Sequence, residues 1–150
     1  MVFVLKKIKN RAFTLVEIFL TVAIFVLSAS IVSPVYLSTK SGDDLNNKTD
    51  VLVSSLRRAQ ILSITSQDDS SWGLKILESS FVIFKGGDYL SRDTNYDDVI
   101  EVNKNILSEG LDEIVFTKVF GETSNLGEIK LKTNNREVVV SINKKGTINY

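Results

Sequence analysis

The 150 residues leave room for one modest globular head, and 18 basic against 18 acidic residues give a formal charge of zero. With no cysteine and no histidine, the chain has no disulfides, no thiolate or imidazole metal ligands, and no Ser-His-Asp or Cys-His nucleophile. Most hydrolase and metalloenzyme classes fall on that ground, and we expect no catalytic residue, no metal and no cofactor.

The charge is segregated. Lys6, Lys7, Lys9 and Arg11 lie in the first twelve residues, which hold no acid, leaving fourteen cations against eighteen acids in residues 13–150. From Phe13 to Ser33 run twenty-one residues whose one ionisable member is Glu17. A helix rising about 1.5 Å per residue needs roughly twenty apolar residues to cross a bilayer. The run is therefore read as a transmembrane helix, and the cations before it place the N-terminus in the cytoplasm and the remainder outside. Pro34 is expected to kink the helix near its far end.

Leu45, Leu52, Leu56, Ala59 and Leu62 then recur at helical intervals and predict an amphipathic helix that packs on its own sheet. Gly42 with Asp43 and Asp44 is a candidate break between two helices, with an Asp capping the second. After the polar cluster at 66–71 the period changes to two. Strands are expected at Trp72–Leu77, Phe81–Lys85, Val99–Val102, Ile114–Val119, Glu128–Thr133, Glu137–Ile142 and Thr147–Tyr150. Short polar turns between them suggest one antiparallel meander, with residues 121–127 as an exposed loop. Trp72, Phe81, Phe84, Phe116 and Phe120 are read as core or half-buried strand residues. The expected organisation is thus α+β: a leader (1–12), a transmembrane helix (13–37), an amphipathic helix (38–67) and an antiparallel β head (68–150).

Glu17 is the residue that a plain anchor fails to explain, because a carboxylate inside such a helix costs about 2.5–3.5 kcal/mol at the bilayer centre and less near its ends. The segment KKIKNRAFTLVE, Lys6 to Glu17, followed by apolar helix, resembles the class III signal of type IV pilins and type II secretion pseudopilins. The resemblance implies a pilin-like fold, and cleavage between Ala12 and Phe13 by a prepilin peptidase that also N-methylates Phe13. It further implies that Glu17, fifth after the cut, registers a subunit on its neighbour, and Pro34 falls where pilins commonly carry a proline. Ala12 departs from the family's usual glycine, which bears on how fast the chain is cut. The physical expectation is that Glu17 of an incoming subunit pairs with the Phe13 amine of one already assembled.

In the head, the stretch from Arg57 to Gln60, Trp72-Gly73, the run from Phe81 to Gly86 and Gly146-Thr147-Ile148 are similar to the H-class minor pseudopilins of type II secretion and their FimT-like relatives. That class is non-catalytic. Its partners would be other pseudopilins, the prepilin peptidase, an assembly platform in the membrane, an assembly ATPase and membrane lipid, with the chain anchored in the inner membrane. A minor pilin of a DNA-uptake or adhesive pilus is the alternative; Lys130, Lys132, Arg136, Lys144 and Lys145 would make its DNA contacts. Solvated edge-strand lysines explain the same residues. An ordinary signal peptide or a signal-anchored β-domain accounts for the apolar run but not for Glu17. The acid pairs Asp43-Asp44, Asp68-Asp69 and Asp97-Asp98 lack EF-hand spacing and are read as solvated loops.

Overall fold

The computed structural model describes the backbone from Phe13 to Tyr150 and the side chains of residues 13–29 and 42–150. The expected leader, with Lys6, Lys7, Lys9, Arg11 and Ala12, lies outside the described residues. The chain divides into two compact units, Met1–Thr39 and Lys40–Tyr150, and the fold is α+β. Among the described residues there is one long helix, α1 (Leu15–Ile64), a short 3-10 turn at Gln67–Asp69, and eight strands.

In the first unit every described side chain from Phe13 to Ala29 is exposed. The apolar residues there are distributed all round the helix, so no stripe selects one face to bury. Among the described residues no helix is long and apolar enough to cross a membrane. The side chains of residues 30–37, which would complete the expected span, lie outside the described set.

In the second unit α1 has a definite inner face. Leu45, Leu52, Leu56 and Ala59 are fully buried, joined by Lys48, Thr49, Val53, Ser55 and Ser63, which is the stripe expected from their spacing. The expected break at Gly42, Asp43 and Asp44 is not there: all three lie inside α1. Gly42 is buried with Arg136 Nη1 at 3.0 Å from where a Cβ would stand, and Asp44 accepts from Asn103 Nδ2 at 3.1 Å rather than capping. A glycine costs a helix about 1 kcal/mol, which packing of the adjacent stripe outweighs. The helical backbone also continues through Pro34. It ends where Ser66 turns left-handed (φ 51), with the N–H groups of Thr65 and Ser66 closing on the carbonyls of Ile61 and Ser63.

The strands are β1 (Trp72–Ile76), β2 (Ser80–Lys85), β3 (Asp93–Glu101), β4 (Leu107–Gly110), β5 (Glu113–Phe116), β6 (Gly127–Lys132), β7 (Glu137–Ile142) and β8 (Ile148–Asn149). They form not one meander but two four-stranded antiparallel sheets, ordered β3-β2-β1-β5 and β4-β6-β7-β8. The crossing falls between two adjacent residues. Leu111 N–H donates to Glu128 in the second sheet (3.1 Å), whereas the Asp112 carbonyl accepts from Ile76 in the first (2.7 Å). One core joins the two sheets to α1, through Leu74, Ile76, Phe81, Ile83, Ile114 and Phe116 on one side and Ile129, Leu131, Val140 and Ile142 on the other.

Trp72, Phe81, Phe84 and Phe116 are buried as expected, but Phe120 is 76 % exposed. The strand expected over Ile114–Val119 stops at Phe116, and Val119 adopts φ 71, a left-handed conformation that is an outlier for a β-branched residue. That reversal carries Phe120 out of the sheet's alternation.

Candidate functional site

The segment expected to carry function begins at Phe13, just after the expected leader. Thr14 precedes the first helical residue, and its carbonyl accepts from Glu17 N (3.0 Å) and Ile18 N (3.2 Å). Its Oγ1 accepts from Glu17 N–H at 3.3 Å, and Glu17 Oε2 in turn accepts from Thr14 N–H at 3.4 Å. This reciprocal pair is a capping box, in which two amide donors left without helical partners are satisfied by side chains. A carboxylate in the first turn also faces the positive end of the helix dipole.

Glu17 therefore has a local structural role that could have been read from the spacing Thr14-Leu15-Val16-Glu17 and was missed. The cap does not use up the carboxylate, which offers about four lone-pair sites and spends one on Thr14. Phe13 precedes the box, is 75 % exposed and lies outside the helix. Ala12, the other half of the expected scissile bond, is outside the described residues.

The head residues that resemble a family pattern come together as packing devices. Gly73 stands opposite Phe84 across β1 and β2. A Cβ on Gly73 would lie 2.5 Å from the Phe84 ring and 2.8 Å from the Ile114 carbonyl, so the missing side chain is the seat of the phenylalanine. Gln60 projects from α1 and donates through Nε2 to the carbonyls of Gly121 and Gly146, each at 3.0 Å. Both glycines have positive φ, +61 and +73; a Cβ on Gly146 would stand 2.3 Å from Gln60 Nε2, and one on Gly121 would stand 2.7 Å from the Ile64 side chain. The fully buried Ser63 hydroxyl accepts from Trp72 N–H at 2.8 Å and stands 3.1 Å from the Phe116 carbonyl.

The five cations considered for DNA do not form one free patch. Lys130 and Lys132 share the outer face of β6, but Lys132 is 2.7 Å from Glu109 and 3.8 Å from Glu137, and Lys130 is 3.7 Å from Glu128. Hydrogen bonding to Glu109 raises the Lys132 pKa above its ordinary value and lowers that of Glu109. Arg136 sits before one end of β7 and against Gly42, while Lys144 and Lys145 lie beyond the other end, about 20 Å away at roughly 3.3 Å per strand residue.

The acid pairs are also accounted for in part by cations: Asp97 meets Arg92 at 2.9 Å, Asp98 meets Arg58 at 2.5 Å, and Asp69 meets Lys118. Among the described residues no group of three or more acidic, His or Cys side chains could hold a metal ion. Lys48 is buried, with Nζ 2.7 Å from the Ile106 carbonyl and 3.2 Å from that of Asn103. Its burial pushes its pKa below the usual lysine range. It fastens the β3–β4 connection to the helix.

No protein-family model matches the chain, and no curated protein or solved structure is significantly similar to it.

Proposed function

We propose that the chain is a subunit of a pilin-type filament anchored in the inner membrane, of the minor-pseudopilin class of type II secretion. The observation that supports it most is that one helix, Leu15–Ile64, supplies two unlike segments. Up to Ala29 its side chains are exposed and almost all uncharged, while from Leu45 onward the helix gives the β head its core. A soluble domain has no use for the first segment, and a detachable signal would not continue as the core helix of the domain it exports. Lipid before assembly and neighbouring helices after it would cover that surface.

In this reading the prepilin peptidase cuts between Ala12 and Phe13 and methylates the new amine. The capping box gives the cut a physical context: the helix starts at Leu15, so Phe13 lies in non-helical chain next to the bond to be cleaved. Glu17 then has two tasks, closing its own helix start through Thr14 and offering its remaining acceptor capacity to the Phe13 ammonium of a neighbour. In a dry helical core an acid without such a partner is penalised by several kcal/mol, so pairing sets the axial register. The chain is a substrate of the peptidase and performs no chemistry itself. Pairing of Lys130 and Lys132 with acids favours the secretion role over a DNA-uptake pilus. The test is Glu17→Ala with Glu17→Gln: cleavage before Phe13 should persist while filament incorporation is lost, and normal incorporation of both variants rejects the role of Glu17.

A further inference from the structure

Where α1 begins decides whether the bond before Phe13 is open to a peptidase. In a helix each carbonyl accepts from the N–H four residues on, so a helix begun one turn earlier, at Arg11, would tie up the Ala12 carbonyl with the Val16 amide. That carbonyl is the one a peptidase has to attack, and peptidases cut open chain rather than hydrogen-bonded turns. In the structure the helix starts at Leu15, and Phe13 and Thr14 stand outside it.

The sequence offers little else to stop the helix there. The residues before Thr14 contain no glycine and no proline, and alanine, the residue at position 12, is the strongest helix former of all. One turn upstream, Asn10 is a capping residue in its own right, placed to start a helix at Arg11. What holds the start at Leu15 is the Thr14 side chain. Its Oγ1 accepts from Glu17 N–H at 3.3 Å, an amide that the earlier helix would send to the Phe13 carbonyl. Thr14 N–H, which the earlier helix would send to the Asn10 carbonyl, is held by Glu17 Oε2 at 3.4 Å.

We propose that Thr14 is the positioning residue of the cut: its hydroxyl fixes the helix start at Leu15 and so keeps Phe13, one side of the bond to be cleaved, out of the first turn. The inference rests on the filament reading for there being a cut at all, and adds to it the residue that keeps the site open. Thr14 touches no reacting atom and acts through the conformation of the chain at Ala12 and Phe13. Glu17→Ala leaves Thr14 Oγ1 in place to accept from the amide of residue 17, so cleavage persists in that variant.

Two substitutions separate the cap from the shape of the side chain. Thr14→Val keeps the shape and loses the acceptor, whereas Thr14→Asn changes the shape and keeps an acceptor. With the full-length chain in membranes and a prepilin peptidase supplied, Thr14→Val should be cut about fivefold more slowly, the usual worth of an N-cap expressed as a ratio. Thr14→Asn should be cut at close to the wild-type rate. On the uncut chain in detergent, hydrogen exchange of the Val16 amide should slow in Thr14→Val, because that amide gains the Ala12 carbonyl as acceptor. Thr14→Val cut at the wild-type rate, Thr14→Asn cut as slowly as Thr14→Val, or unchanged Val16 exchange overturns the proposal. A wild-type chain that the peptidase leaves whole overturns the filament reading and the role of Thr14 together. A wild-type chain cut before Phe13, beside a Thr14→Val chain cut equally fast, removes the role of Thr14 alone.

Discussion

Gln60 offers the sharpest test of how the head is held together. Its Nε2 bridges two carbonyls that belong to separate loops, Gly121 and Gly146, so Gln60→Ala removes two hydrogen bonds from one half-buried site. At about 0.5–1.5 kcal/mol net per bond the loss spans roughly 1–3 kcal/mol, and partial access of water to the carbonyls places it near 1–2 kcal/mol. For a head of this size that corresponds to a drop in Tm of about 4–10 °C.

Gln60→Glu sharpens the test, because an ionised carboxylate keeps the size of the amide but donates nothing and would face two carbonyl oxygens. The expected order of stability at neutral pH is wild type, then Ala, then Glu. Thermal unfolding of the full-length protein in detergent can be followed through the one tryptophan, Trp72, which is 4 % exposed. A Glu variant as stable as the wild type would refute the donor role.

Three further outcomes are expected. Gly73→Ala should destabilise the head by about 1–3 kcal/mol, as overpacking does, because the new Cβ meets the Phe84 ring and the Ile114 carbonyl; the same thermal melt reads it. Asp112 is held below its ordinary pKa of 3.8, chiefly by its hydrogen bond from Lys75. Stability from that pair is therefore present above pH 3.8 and lost as pH falls through the lower folded value, so Lys75→Met should flatten the acid limb of a stability-against-pH curve. For Lys48, burial lowers the folded pKa below 10.5, so the unfolded chain binds more protons just under that pH. The stability of the wild type relative to Lys48→Met should rise with pH in that window, measured by denaturant titration; a falling difference rejects the assignment.

The parts of the fold that could be read from the residues are those set by local periodicity. Leu45, Leu52, Leu56 and Ala59 lie on one helix face by spacing alone and are all buried, and the strand at Glu137–Ile142 has the bounds its alternation gives. What could not be read depends on distant partners. β4 holds a single apolar residue, Leu107, which is exposed, and exists because β6 pairs with it. β3 begins at Asp93, well before the apolar residues Val99 and Ile100, because it is an edge strand with a polar, mostly exposed first half. The split into two sheets turns on the opposite hydrogen-bonding loyalties of Leu111 and Asp112, which no pattern announces. Phe120 looked like a strand residue because nothing about a valine warns of the left-handed turn at Val119.

At the N-terminal segment the gap was of another kind. The spacing from Thr14 to Glu17 is that of a capping box, and the simplest partner of the acid is the amide three residues back. In the proposed filament the cap lowers the demand for an outside countercharge without removing it, which makes the proposed cut before Phe13 the decisive point.

Intact-mass and N-terminal peptide mass spectrometry of the chain, recovered from membranes of cells that express a prepilin peptidase, tests that point directly. A mature product beginning with N-methylated Phe13 is the expected result. A product that keeps Met1, or that begins beyond the apolar run near Ser30, contradicts the account.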